Sequence, residues 1–361
     1  MPDEADGVTM EELQLATRNH GMPVEALNYP LTPAGLHYLL IHFDIPAVDS
    51  QTWRLDVGGR VARPRSLTIT DLRARPQMTA AVTMECAGNG RALFHPRPLS
   101  QPWLHEAVGT AEWTGTPLAA LLEEAGVDDD AVEVVFTGLD RGLDGGIEQQ
   151  YERALSVADA FRPEVLLAYQ MNGQPLLPQH GAPLRLVTPG WYGMTNVKWL
   201  AAITVLDEPF AGYQQQQVYR LRRDSEDPGV PVSRMRPRAL MVPPGIPDFY
   251  TRRRLVPEGR HTLTGRAWSG WGDIASVGVS VDDGRNWEHA RVEPRDLGPW
   301  AWQAWTFEWE PSGPGEYLLS CQAQDAAGNS QAGEPESPGW NVGGYANPAP
   351  QRVPVTVVVA G

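Results

Sequence analysis

The chain has 361 residues, 42% hydrophobic and 20% charged, with 13 Trp, 10 Tyr and 7 Phe. That much apolar and aromatic material excludes a disordered chain, and the length suits two cores better than one. A net charge of −15 argues against nucleic acid or an anionic membrane as partner, since both demand a basic face.

No run approaches the ~18 to 20 consecutive apolar residues of a membrane span. The start Met1-Pro2-Asp3-Glu4-Ala5-Asp6 has neither the basic opening nor the apolar stretch of a secretory signal. The expected location is therefore cytoplasmic as written, or periplasmic if an export signal was removed. With 36 Gly and 33 Pro, the fold is expected to be rich in loops and short strands, with few long helices.

In chain order, the apolar run from Ala80 to Met84 predicts a strand that feeds a Gly-rich loop. Leu118, Leu121, Leu122 and Ala125 have the spacing of one helix face, and Gly126 supplies the stop. Val132 to Phe136 and Leu184 to Val187 predict buried or half-buried strands. This half, residues 1–232, is expected to be α+β. The run Pro228 to Pro247 connects it to residues 233–361, where the period becomes two. Val277, Val279 and Val281 alternate with small polar residues before an Asp282-Asp283-Gly284 turn. Trp305, Phe307 and Trp309 alternate next, then Tyr317, Leu319, Cys321 and Ala323, then Val353, Val355 and Val357. Short alternating strands separated by turns predict a two-sheet, immunoglobulin-like sandwich.

The two cysteines separate on this pattern. Cys321 shares a strand face with Tyr317 and Leu319 and is expected in the sandwich core. Cys86 lies in Met84-Glu85-Cys86-Ala87-Gly88-Asn89-Gly90-Arg91, a strand running into a loop with exposed amides and a cation, which favours a thiolate. Such a group can be a nucleophile, a redox centre or a soft-metal ligand. No Cys-x-x-Cys or His-rich spacing accompanies it, which argues against zinc and iron–sulfur sites. Among 29 basic residues Lys198 is the single Lys.

The Cys86-Ala87-Gly88-Asn89-x-Arg91 run resembles the molybdenum-ligating segment of the sulfite oxidase family. Further segments resemble that family in order: Arg18-Asn19-His20, Trp103 to Gly109, Gly138-Leu139-Asp140, Leu166 to Leu176, His180 to Arg185, Gly190 to Gly193 and Asn196 to Trp199. Gly265 to Gly270 and Val277 to Trp287 resemble the family's dimerisation domain. The resemblance implies a catalytic domain of sulfite-oxidase type followed by a dimerising sandwich, with one molybdenum-molybdopterin per chain and no haem.

On that resemblance Cys86 is the metal ligand. Arg18, Asn19, His20, Asp140, His180, Arg185, Asn196, Val197 and Lys198 would bind the pterin cofactor, Lys198 as a point charge for its phosphate. Trp103 would line the substrate pocket, Tyr219 would reach the metal's oxo group, and Arg18 would contact a small oxyanion. Taken singly, Asp140 and His180 could equally be turn caps, Asn19 a local cap and Arg185 a solvated strand residue.

The chain departs from the family at one point. Family sulfite oxidases carry an arginine in a Trp-Asn-x-Arg-Gly run that here reads Trp340-Asn341-Val342-Gly343-Gly344. A missing charge-assisted contact typically costs about 1.5 to 3 kcal/mol, unless Arg91, Arg220 or another cation compensates. Restoring Gly343→Arg is expected to lower the Michaelis constant for sulfite, provided the backbone does not need positive φ there.

The implied activity is oxidation of sulfite to sulfate, with electrons leaving to an external acceptor, for which a basic cytochrome c suits the acidic surface. The alternative within the family is action on another small oxo-compound such as a sulfoxide. Outside it stand a cysteine-nucleophile hydrolase using Cys86 with His95 or His180, and a non-catalytic binding module.

Overall fold

The structure is a computed structural model describing residues 7–331 and 339–359. Two sheets form the N-terminal half. The first has the strand order Arg65–Leu67, Leu55–Gly59, Leu200–Leu206, Glu133–Asp144, Ile147–Ser156; Leu55–Gly59 runs parallel to Leu200–Leu206 and the other pairs are antiparallel. The second is antiparallel: Met78–Glu85, Val108–Pro117 and Leu166–Met171 lie side by side, and Gln174–Pro175 and Arg185–Val187 both pair with Leu166–Met171.

The helix Leu118–Ala125 forms where its spacing predicts, with Leu118, Leu121, Leu122 and Ala125 all buried. Gly126 ends it in the left-handed conformation (φ 68°), donating its N–H to the carbonyls of Leu122 and Glu123. Helices are otherwise short, the nine-residue Met10–Arg18 being the longest described. The fold is thus mostly sheet, and α+β describes it only loosely.

In the C-terminal half, one sheet orders Arg238–Met241, His261–Trp268, Gln303–Trp309 and Arg291–Val292. The other orders Ile246–Pro247, Arg254–Pro257, Gln351–Val358, Gly315–Asp325, Ile274–Ser280 and Glu288–His289. Their facing side chains make one core: Met241, Leu263, Trp305 and Trp309 meet Val277, Val279, Leu319, Cys321, Val353 and Val355. The period-two runs are these inward faces. Cys321 is fully buried, and burial raises its thiol pKa far above the usual range.

The outer face of the first of these sheets is not left to solvent. Leu240, Trp268 and Trp302 join the main core of the N-terminal half. Thr83 N–H donates to the Trp300 carbonyl (2.9 Å), and Trp302 N–H donates back to Thr83 Oγ1 (2.8 Å). Half of the sandwich tryptophans serve packing: Trp268, Trp302, Trp305 and Trp309 are buried, whereas Trp271 and Trp340 are exposed. The strand leading to Cys86 is therefore fixed from both halves.

Candidate active site

Met78–Glu85 ends at Glu85, and the next five residues form a tight loop. Cys86 N–H donates to the Ala107 carbonyl (2.9 Å) and its own carbonyl accepts from Asn89 N–H (2.9 Å). Asn89 is buried and ties the loop on both sides: Oδ1 accepts from Ala107 N–H, and Nδ2 donates to Glu85 Oε1. Gly88 has no room for a side chain, because a Cβ would lie 2.5 Å from Arg91 Nη2. Arg91 is buried, donating from Nε to the Gly343 carbonyl (3.0 Å) and from Nη1 to the Gln101 carbonyl (3.1 Å).

Two cavities meet at Cys86. The inner one leaves about 70 Å³ of free space and is lined by Asp140, His180, Arg185, Asn196 and Lys198 together with His37 and Tyr38. The outer one is lined by Arg91, Gln101, Trp103, Asp144 and Tyr345. Leu40, His42, Cys86 and Tyr219 line both. A single thiol therefore stands where the two cavities meet.

Most residues expected from the sequence are gathered here. Arg185 is buried, stacks on the Trp113 ring (4.6 Å) and donates to the carbonyls of His180 and Asn196. Lys198 Nζ donates to the Leu40 carbonyl (2.8 Å). Asn196 accepts from Thr188 N–H through Oδ1 (2.7 Å) and donates to the Tyr192 carbonyl. Trp103 packs with Cys86 and Ala107. The Tyr219 ring lies 5.3 Å from that of Tyr345, with the Arg153 guanidinium 5.3 Å from its centre.

Four of the expected residues line neither cavity. Arg18 lines neither cavity: it closes the helix Met10–Arg18, is partly exposed, and turns its guanidinium to the Phe43 carbonyl (2.5 Å) and Asp44 (3.7 Å). His20 is exposed and contributes a backbone bridge to Leu39. Asn19 is buried but structural, accepting from Ile41 N–H (2.7 Å) and donating to Gln101 Oε1 (3.0 Å). Val197 is packed into the main core. Tyr38 to His42, a mainly apolar stretch without a recognisable motif, lines the two cavities. His37, Tyr38, His42, Tyr151, Arg153 and Tyr345 were not legible as site residues, and Tyr345 follows Gly343 by two positions. Arg220, weighed as a compensating cation, donates to the carbonyls of Pro228 and Gly229 in its own loop.

Burial dominates the electrostatics. Desolvation lowers His37 to about 3 and His42 and His180 to about 4, so these imidazoles are neutral. It lowers Arg185 to about 10 and Lys198 to about 7, and raises Asp140 to about 6. Burial raises the Cys86 thiol, outweighing the opposing effect of Arg91. The unligated side chain is thus a thiol, contrary to the expected thiolate, which weakens the hydrolase reading. His95 is exposed, so a nucleophile–base pair with Cys86 has no support there.

These residues fit a molybdopterin. Asp140 Oδ1 and Arg185 Nε are buried without hydrogen-bond partners, as expected of groups that meet a polar ligand. Among the described residues no cluster of three or more His, Cys, Asp or Glu could hold a metal. A metal at Cys86 would take its remaining donors from a cofactor.

Gly343 has no left-handed φ in the structure, so the backbone itself tolerates a side chain. Packing does not: a Cβ there would fall 2.1 Å from Cε2 of Tyr345. The expected benefit of Gly343→Arg is withdrawn on that ground.

Residues 42–214 match the family model of the oxidoreductase molybdopterin binding domain, and residues 250–358 match that of the Mo-co oxidoreductase dimerisation domain. The fold, the Cys86 junction and these matches define a molybdopterin oxidoreductase with an appended dimerisation domain. The chain is 34% identical to mitochondrial sulfite oxidase of Mus musculus over 91% of its own length and 62% of that protein. It is 35% identical to sulfite oxidase of Gallus gallus, covering 89% of this chain and 72% of that one. The sulfane dehydrogenase SoxCD of Paracoccus pantotrophus superposes with a TM-score of 0.79 at 26% identity, covering 94% of this chain and 86% of that one. The chain belongs to the sulfite oxidase family. It spans about 62% of the length of the mouse relative.

Proposed function

We propose that the chain oxidises sulfite to sulfate at a molybdenum held by Cys86 and a molybdopterin, and passes the electrons to an external one-electron acceptor. The observation that carries this reading is the meeting of an inner chamber and an outer vestibule at one buried thiol. Sulfite gains an oxygen derived from water and gives up two electrons, and that water releases two protons; when bound, the cofactor supplies the oxygen-atom transfer and accepts the electron pair.

The chain's own groups bind and orient. Lys198 and Arg185 offer cations, Asp140 an acceptor, and His180 and Asn196 neutral partners to the cofactor's polar edge and phosphate. Cys86 surrenders its proton on ligation. On the vestibule side Trp103 and Tyr345 exclude water, Tyr219 presents a neutral hydroxyl at the junction, and Arg91 supplies a recessed cation. The acidic surface suits a basic acceptor of cytochrome c type. The same reading takes residues 1–232 as the catalytic domain and 233–361 as an immunoglobulin-like domain joining two copies, in the cytoplasm or, after export, the periplasm. The sulfite oxidases and nitrate reductase among the relatives do not favour a sulfoxide substrate.

A second reading is supported by the vestibule itself. Arg18 faces away and Gly343 carries no cation, so little positive charge meets a dianion. A sulfane sulfur group, which the name sulfane dehydrogenase implies for the structural relative, would need less. Steady-state assays with sulfite and ferricyanide on molybdenum-loaded protein decide between them. Turnover supports the first reading, and turnover only with a sulfane donor supports the second. Active protein containing zinc or no metal would end both.

A further inference from the structure

We propose that Tyr345 is the specificity-determining residue that the C-terminal half contributes to the vestibule, and that position 343 is glycine because the Tyr345 ring occupies the space a side chain there would need. The inference rests on the reading of the outer cavity as the substrate's approach. It treats Gly343 as half of a matched pair rather than as a lost arginine.

The ring is held in place from several sides. Asn341 clamps the Tyr345 backbone, its Oδ1 accepting from Tyr345 N–H (2.9 Å) and its Nδ2 donating to the Tyr345 carbonyl (2.9 Å). The next residue, Ala346, donates its N–H to the Ala87 carbonyl (2.8 Å), and Asn347 Nδ2 donates to the Gly90 carbonyl (2.8 Å). The segment is thereby stitched to the loop that presents Cys86. Gly344 between them is left-handed (φ 60°), which sets the sharp reversal. With its backbone fixed, the ring lies 5.4 Å from the Arg91 guanidinium and 5.3 Å from the Tyr219 ring.

Its hydroxyl makes no hydrogen bond to another described residue, although the side chain is 6% exposed and lines the vestibule. A phenol placed this way offers one neutral donor to whatever occupies the vestibule. Its ring covers one face of Arg91, while the Gly343 and Gln101 carbonyls occupy two of that guanidinium's donor nitrogens. Positive charge is thus muted, and recognition shifts from a second cation to a hydrogen bond and an aromatic wall.

The test uses full-length protein and two readouts. In cofactor-free chain, the rate at which neutral and anionic methanethiosulfonates modify Cys86 reports access through the vestibule, since Cys321 is fully buried. In loaded enzyme, sulfite kinetics report the split between KM and kcat. Gly343→Ala pushes the ring out and Tyr345→Leu removes it. Each should raise the Cys86 modification rate at least several-fold, and the double variant should exceed the larger single effect by little, because both act on one ring. Tyr345→Phe keeps the wall, so the thiol rate should stay at the wild-type value while KM rises about tenfold with kcat less affected, as one lost hydrogen bond to a charged substrate implies. Wild-type thiol rates and KM in Gly343→Ala, or singles whose effects multiply in the double, would overturn the proposal. Should Gly343→Ala fail to fold, Tyr345→Leu decides, and a wild-type thiol rate there overturns it. If wild-type enzyme shows no sulfite turnover, the functional reading fails while the thiol rates still judge the pair.

Discussion

Replacing Arg238 by Met tests the joint that positions the Cys86 loop. Arg238 Nε lies 2.8 Å from Glu85 Oε1, with side-chain exposures of 5% and 1%. Glu85 also accepts from Asn89 Nδ2 and from Trp268 Nε1, each at 2.9 Å, while Arg238 donates to the Asn347 carbonyl. Removing the cation leaves a buried carboxylate with two neutral donors and no counter-charge. Breaking one side of a buried pair typically costs about 3 to 5 kcal/mol; the two remaining donors place this case near ~3 kcal/mol. That is a large share of a typical folding free energy of about 5 to 15 kcal/mol. Urea unfolding followed by tryptophan fluorescence should show the loss, and molybdenum content should fall as Asn89 loosens. The double variant Glu85→Gln/Arg238→Met, with both charges gone, should recover most of the stability. An Arg238→Met protein within about 1 kcal/mol of wild type would refute the reasoning.

Cys86→Ser should remove molybdenum-dependent turnover while leaving the circular dichroism spectrum unchanged, because the loop is held by Asn89 and backbone bonds rather than by sulfur; retained turnover would contradict its assignment as ligand. In cofactor-free protein, burial lowers Lys198 from its ordinary value of 10.5 to about 7. The unfolded chain therefore binds more protons above pH 7, and stability should rise with pH from about 7 to about 9. Beyond that the raised Cys86 thiol works in the opposite direction. Lys198→Met should flatten the rise in melting temperature across this window, and an unchanged slope would exclude Lys198 as its source. Light scattering should give twice the 39.6 kDa chain mass; a concentration-independent monomer would reject the dimer.

Local pattern sufficed wherever a structural cause is local. Alternation placed Val277, Val279, Leu319, Cys321, Val353 and Val355 on inward faces, and the Leu118 to Ala125 spacing with Gly126 gave a complete helix. The Cys86 loop was legible because its chemistry is confined to a few consecutive residues. Asp140, His180, Arg185, Asn196 and Lys198, which line the cavity beside Cys86, were singled out only through ordered resemblance, since they come from separate strands and turns that no single periodicity connects.

Tertiary structure alone decided which cation meets the vestibule. Arg18 and Arg91 read alike as arginines beside suggestive motifs. One ends a helix and pairs outward with Asp44, while the other is folded under Gly343 and Tyr345. The stretch from Tyr38 to His42 was silent for the same reason: a mainly apolar run reveals burial but not which cavity it borders. Even Gly343 reads locally as an absent side chain. It becomes a cradle once Tyr345, set by Asn341 and by contacts with the Cys86 loop, fills that space. Side-chain direction at such sites is fixed by packing between segments distant in sequence, which sequence spacing does not encode.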